Sequence, residues 1–130
     1  SANWGGRLLE FLPVCLRLAD APVLLVGGGA VATRKARLLL RARAALTVVS
    51  PAISDELKAL LEQHDGIWQR GRYQDSDLDG VRLVVAATPD SSVNEQIYRD
   101  AVRLSIQVNV VDAPQLCTFI FPSIVDRDAA

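Results

Sequence analysis

The chain has 130 residues, and its 14 Lys and Arg against 15 Asp and Glu leave a net charge of −1, which excludes nucleic-acid binding driven by bulk charge. With 50% hydrophobic and 22% charged residues it can bury one core of ordinary size, so one compact domain is expected. The uncharged stretch 21–33 falls well short of the roughly 20 apolar residues of a membrane span, and the apolar start is broken by Glu10, Pro13 and Arg17, so neither a membrane helix nor a signal peptide fits and the cytoplasm is the expected compartment.

In chain order, Leu12, Val14, Leu16 and Leu18 alternate with Pro13, Cys15 and Arg17, the two-residue period of an edge strand. Residues 23–26 form a continuous apolar run, as in a strand buried on both faces, and lead directly into Gly27-Gly28-Gly29. A helix over 30–42 puts Ala32, Ala36, Leu39 and Leu40 on one face, and a second strand over 46–50 is stopped by Pro51. Ser54 is the expected N-cap of a helix running to Gln63, with Asp55 and Glu56 in its first turn and Leu57, Leu60 and Leu61 as the buried stripe. Further strands are expected at 67–70, 81–87 and 107–111. The pattern Ser92-Val93-Asn94-Glu95 reads as a capping box before a helix carrying Val93, Ile97, Ala101 and Leu104. Residues 116–121 look like one more strand, closed by Pro122. Strands alternating with helices predict an α/β fold, a parallel sheet covered on both faces.

Cys15, Cys117 and His64 stand singly, and none has metal-ligand spacing. The cysteines read as small buried hydrophobes without a disulfide, and His64 as a surface helix end. Gly27-Gly28-Gly29-Ala30-Val31-Ala32 matches GxGxxA between a buried strand and a helix, a context that favours dinucleotide binding. Gly27 permits the tight turn, Gly29 admits a pyrophosphate to the backbone, Ala32 allows close packing, and the helix amides hold the anion. The second strand lacks the acidic residue that would accept from the adenosine ribose. Ser50 stands there instead, with a hydroxyl able to bond a ribose, and the choice between NAD and NADP stays open. Arg34, Lys35, Arg37, Arg41 and Arg43 crowd five cations and no acid into ten residues, read either as a solvated face or as attraction for a polyanionic ligand.

LPVCLRL, LLVGGGAVATRKARLLL, TVVSP, VVAATPDSSVN, VNVVDAP and CTFIFPSIVDR, spread from about Leu9 to Arg127, resemble the N-terminal family of siroheme synthases, the precorrin-2 dehydrogenase and sirohydrochlorin ferrochelatase module. The resemblance implies a Rossmann-type doubly wound sheet over residues 9–113, after a tail at 1–8 that holds Trp4. Residues 114–130 would then begin a truncated dimerisation region, the chain being a fragment of a longer, homodimeric protein. It implies oxidation of precorrin-2 to sirohydrochlorin with NAD, then insertion of ferrous iron as substrate to give siroheme. By the same matching Asp112 is the catalytic aspartate, and Ala30, Val31, Leu46 and Thr47 are cofactor contacts, with Ala86, Ala87 and Thr88 lining the cofactor side. Asp112 is also expected just past the carboxyl end of a strand, where open α/β sheets bind ligands. Asn94 and Asn109 are read as loop-bonding residues, and Phe119, Phe121 and Trp68 as packing residues. Family members usually have glycine where Arg43-Ala44 stands, so the first helix is expected to end by another route than a glycine cap. The competing reading is a non-catalytic NAD-sensing module like those of potassium-transport regulators, which has no evident use for VNVVDAP and CTFIFPSIVDR. A tetrapyrrole- or cobalt-binding relative without turnover shares nearly every motif.

Overall fold

The computed structural model describes residues 9–122. Its elements are β1 (Pro22–Val26), α1 (Ala30–Arg41), β2 (Ala45–Ser50), α2 (Asp55–Gln63), β3 (Ile67–Arg70), β4 (Leu83–Ala86), α3 (Ser91–Arg103) and β5 (Gln107–Val110), with 3₁₀ turns at Asp75–Leu78 and Pro114–Leu116. The five strands form one sheet in the order β3-β2-β1-β4-β5, and every pairing is parallel. Among the described residues no helix is long and apolar enough to cross a membrane.

The strands read as continuous apolar runs because both faces are covered. Val23, Leu25, Val48 and Val85 face a core completed by Ala36 and Leu39 of α1 and by Leu57 and Leu61 of α2. Leu24, Val26, Val84 and Val108 face the opposite core, with Ile97 and Ala101 of α3. Burying each Leu or Val contributes about 1.5–3 kcal/mol, so the two cores fix the central strands firmly and hold their tips in register.

All three helices end the same way. In α1, Ala44 N–H reaches Leu39 O (3.2 Å) and Arg43 N–H reaches Leu40 O (2.9 Å), with Arg43 at φ 62°. In α3, Ile106 N–H reaches Ala101 O (2.8 Å) and Ser105 N–H reaches Val102 O (3.1 Å), with Ser105 at φ 58°. Gly66 N–H reaches Leu61 O (2.8 Å) past Asp65, at φ 57°. Each is a Schellman turn whose left-handed position holds a residue other than glycine. The first helix thus ends by the geometry of a glycine cap with an arginine in the glycine's place.

Five expectations need correction. The arm at 12–18 is not a strand: Leu12, Val14 and Leu16 are 78%, 67% and 48% exposed, and Cys15 is exposed rather than buried. Alternation sets which side of a strand is apolar, but a strand also needs an edge to pair with. Residues 116–121 are not a strand either. They seal the β5 edge mainly through side chains: Val108 N–H donates to Thr118 Oγ1 (2.8 Å), Val110 N–H to Cys117 Sγ (3.3 Å) and Asn109 Nδ2 to Phe119 O (3.1 Å). The third helix begins at Ser91 and is capped by Asp90, which accepts from Ser92 N–H (2.9 Å) and Val93 N–H, so Ser92 lies inside the helix and not at its cap. A bond from the Ser92 hydroxyl (2.6 Å) first, and then these two, hold the Asp90 carboxyl below its usual pKa. The fourth strand is shorter than expected, Leu83–Ala86. The tail at 1–8, with Trp4, and the continuation from 123 lie outside the described residues.

Candidate functional site

The chain steps outward from β1 to β2 and β3, then returns to the other side of β1 for β4 and β5. This reversal opens a crevice at the carboxyl edge between β1 and β4, where open α/β sheets bind ligands. The three glycines at the end of β1 meet three different demands. Gly27 sits at φ +130°, and a Cβ there would lie 2.4 Å from Ala87 O. The absent side chain lets the β4 tip close on β1, with Ala87 N–H bonded to Val26 O (2.8 Å). A Cβ on Gly28 would lie 2.0 Å from Ala52 O and 2.8 Å from Ser50 Oγ. The second glycine therefore serves the packing of the loop after β2, to which its carbonyl is tied by Ser54 N–H (2.9 Å). Gly29 is exposed, and a Cβ on it would meet nothing within 4 Å.

Helix α1 starts there without a side-chain cap and without an acid in its first turn, whereas Ser54 and Asp90 cap α2 and α3. Open space at Gly29 beside uncapped backbone N–H groups is what a pyrophosphate requires, so these residues fit a dinucleotide. Ala30 is exposed and Val31 half-buried at the helix start. Ala87 and Thr88 are half-buried at the β4 tip. Asn94 holds that tip: its Nδ2 donates to Thr88 O (3.0 Å), and its Oδ1 accepts from the Thr88 hydroxyl (2.7 Å). Ala86 is fully buried, with its carbonyl accepting from Val111 N–H (3.0 Å), and forms the floor beneath the crevice.

Two expected contacts do not join this set. Leu46 and Thr47 lie in the amino half of β2, paired with Val23 and Leu24 and so short of the carboxyl edge that carries the glycine loop, and Leu46 is a core residue. The residues of this part of the chain that do reach the glycine loop are Ser50, Ala52 and Ile53, and the contact of Ala52 with Gly28 could be read only from the folded loop. Ser50 is buried and its hydroxyl donates to Ala52 O (2.6 Å), leaving it only lone pairs for a ribose.

Asp112 follows β5 at the same edge, exposed and in the left-handed region at φ 62°. It lines an open groove of about 260 Å³ together with Lys35, Asn109, Cys117, Ile120 and Phe121. The Lys35 ammonium stands 4.5 Å from the Phe121 ring centre, and Phe121 meets Phe119 edge-on at 5.5 Å, so the two phenylalanines pack as expected while one also walls the groove. Burial pushes the Cys117 thiol above its usual pKa, which keeps it protonated. Of the clustered cations, Arg37 pairs with Glu56 across to α2 and Lys35 serves the groove. Among the described residues no three His, Cys, Asp or Glu side chains converge on a metal position. His64 is the exposed C-cap of α2, at the other edge of the sheet.

Comparison with known proteins agrees with this geometry. A family model described as "Putative NAD(P)-binding" matches residues 14–123. The siroheme synthase of Pseudomonas fluorescens (strain SBW25) is 50% identical over 119 residues, 92% of this chain and 26% of that protein. The siroheme synthase of Ectopseudomonas mendocina (strain ymp) is 55% identical over 119 residues, 92% of this chain and 25% of that protein. The chain thus spans about a quarter of the length of the curated relatives it matches. Among solved structures, SirC, a precorrin-2 dehydrogenase, superposes with a TM-score of 0.68 at 32% identity, covering 79% of this chain and 50% of that one. The chain belongs to the family of NAD(P)-binding domains that siroheme synthases carry.

Proposed function

We propose that this chain is the oxidation module of a siroheme synthase: it oxidises precorrin-2 to sirohydrochlorin with NAD as acceptor, and its site then takes ferrous iron as substrate to give siroheme. The observation that carries the reading is the position of Asp112, an exposed carboxylate lining a groove at the same sheet edge as the glycine loop. The likeness to siroheme synthases and to SirC supports it. Bound in the crevice, the nicotinamide supplies hydride acceptance. Asp112 takes the proton that leaves the macrocycle as the hydride departs, and in the second step assists loss of the pyrrole protons. Its backbone is held for this task. Val111 N–H is bonded to Ala86 O (3.0 Å) and Ala113 N–H to Val110 O (3.2 Å), which fixes the left-handed turn on which the carboxylate stands. Gly27, Gly28, Gly29, Ala30, Val31, Ser50, Ala87 and Thr88 border the dinucleotide. The working protein is a cytoplasmic homodimer, a compartment in keeping with two free cysteines.

Replacing Asp112 by Asn keeps size and turn preference but removes the base. The variant is expected to bind NAD within about twofold of the parent and to oxidise precorrin-2 at least ~10²-fold more slowly, the usual contribution of general base catalysis. Absorbance at the sirohydrochlorin band follows the reaction. Undiminished turnover in Asp112→Asn would sink the assignment, and NAD binding without any oxidation in a polypeptide of siroheme synthase length would mark a sensor instead of an enzyme.

A further inference from the structure

The hydroxyls of Thr33 and Ser54 meet beside the glycine loop, 21 residues apart in the chain, and neither residue belongs to the GxGxxA pattern. Thr33, near the start of α1, is 4% exposed. Its hydroxyl donates to Gly29 O (2.7 Å), which also accepts from Thr33 N–H (2.9 Å). A threonine bonded to the carbonyl four residues back is ordinary in a helix. Here the same hydroxyl also lies 2.8 Å from Ser54 Oγ, the cap of α2, which in turn accepts from Leu57 N–H (3.0 Å). Each hydroxyl has one proton, so both bonds of Thr33 form together only when Ser54 donates to Thr33 and Thr33 donates to Gly29 O. The bonds therefore run in one direction, from the Leu57 amide through two hydroxyls to the glycine loop.

The preceding carbonyl is held from the same place, because Gly28 O accepts from Ser54 N–H (2.9 Å). A trans peptide points its C=O and the following N–H in opposite directions. With Gly28 O turned to Ser54 and Gly29 O to Thr33, the Gly29 and Ala30 N–H groups are directed away from these partners. Gly29 and Ala30 are exposed, and α1 has no side-chain cap that would claim those amides. Two carbonyls fixed from behind thus orient two amides before an anion arrives, which lowers the ordering cost of binding one.

We propose that the Thr33 hydroxyl, aligned by Ser54, is a positioning group for the pyrophosphate of the dinucleotide: it sets the direction of the Gly29–Ala30 peptide without touching the ligand. The inference rests on reading the crevice as a dinucleotide site.

Calorimetric titration of the whole chain with NAD and with ADP, which carries the pyrophosphate without the nicotinamide, tests it without recourse to turnover. Thr33→Val keeps the branched shape and loses the hydroxyl. It is expected to weaken both ligands by about 3- to 10-fold, the worth of one hydrogen bond. Thr33→Ser returns the hydroxyl and should bind both within about twofold of the parent. Thr33→Ala, which also lacks the hydroxyl and favours helix, should show the same loss as Thr33→Val. A tether that only joins α1 to α2 would lower the urea midpoint of Thr33→Val and leave the affinity of the folded chain at the parent's value. That result, or a loss that Thr33→Ser does not recover, would overturn the inference while leaving the dinucleotide reading intact. A parent chain that binds neither NAD nor ADP would overturn both.

Discussion

Gly27 and Gly29 are two residues apart, yet opposite outcomes are expected from adding one methyl group to each. At Gly27 the methyl would meet Ala87 O at 2.4 Å from a backbone at φ +130°, a region that side chains avoid. Neither backbone can retreat, because Val26 O and Ala87 N–H are joined. Gly27→Ala should therefore lose at least ~2 kcal/mol, as strain and clash add. At Gly29 nothing lies within 4 Å and the backbone is extended, so Gly29→Ala should change stability by less than ~1 kcal/mol. Its methyl would instead occupy the space left for the pyrophosphate and weaken dinucleotide binding at least about tenfold. Urea unfolding and nucleotide titration of the two variants separate the cases. A Gly29→Ala variant that binds NAD as well as the parent would show that the loop does not cradle phosphate. The sequence placed the first and third glycines in their roles from the GxGxxA spacing, but the second falls at an unconstrained position of that pattern. Its need arises from Ala52, a contact between two loops that no local spacing encodes.

Elements were legible where one signal decides them. The strands β1 and β4 are unbroken apolar runs, and Ser54 announces α2 by accepting from Leu57 N–H (3.0 Å). Where two signals competed, the choice failed: Asp90 stands ahead of Ser92 as a cap, and the alternation at 12–18 lacked a sheet edge to join. Wholly unforeseen was the tie that docks α3 on the loop after β3. Asp100, 6% exposed, accepts from the Tyr73 hydroxyl (2.8 Å), Gln96 Nε2 (2.9 Å) and Arg103 Nη2 (3.4 Å). Burial alone would raise the Asp100 pKa, but these donors outweigh it and hold the carboxyl below its ordinary range. Burial, and next the bond to Asp100, push the Tyr73 hydroxyl above its own. A depressed carboxyl pKa contributes stability that is present above the unfolded value near 4 and lost as pH falls through the folded value. A raised phenol pKa contributes stability that is complete below about 10 and lost as pH climbs beyond it. Tyr73→Phe leaves a buried carboxylate short of a donor. It is expected to cost ~1–3 kcal/mol at neutral pH, to move acid unfolding to higher pH, and to remove the alkaline decline that the phenol contributes. Urea midpoints from pH 3 to 11 measure all three. A variant with the parent's acid limb would mean that Gln96 and Arg103 alone hold Asp100.

At the scale of the molecule, the crevice at the glycine loop and the groove at Asp112 differ in how complete they are. The crevice at the glycine loop is bordered by three described segments: the glycine loop with the α1 start, the loop after β2, and the β4 tip held by Asn94. The groove at Asp112 measures about 260 Å³, below the roughly 300–1,000 Å³ of pockets that enclose a drug-sized ligand. A tetrapyrrole is larger than such a ligand, so on the proposed reading these residues would meet one edge of the macrocycle only. Alternation of strand and helix announces a doubly wound parallel sheet and right-handed crossovers narrow its strand order, but the order β3-β2-β1-β4-β5 itself is read from the fold. The incompleteness of the groove does not follow from it, because it depends on a volume. The two functions should therefore separate. The 130-residue chain is expected to bind a dinucleotide with an affinity independent of protein concentration, since the walls of the crevice come from one copy of the chain. Precorrin-2 oxidation should be weak in this chain and restored in a polypeptide of siroheme synthase length, where the rest of the macrocycle is held. Titration calorimetry at two protein concentrations gives the first result and absorbance-monitored turnover of both polypeptides the second. Equal turnover would mean that a groove open to solvent, with Asp112 at its lip, suffices for the reaction.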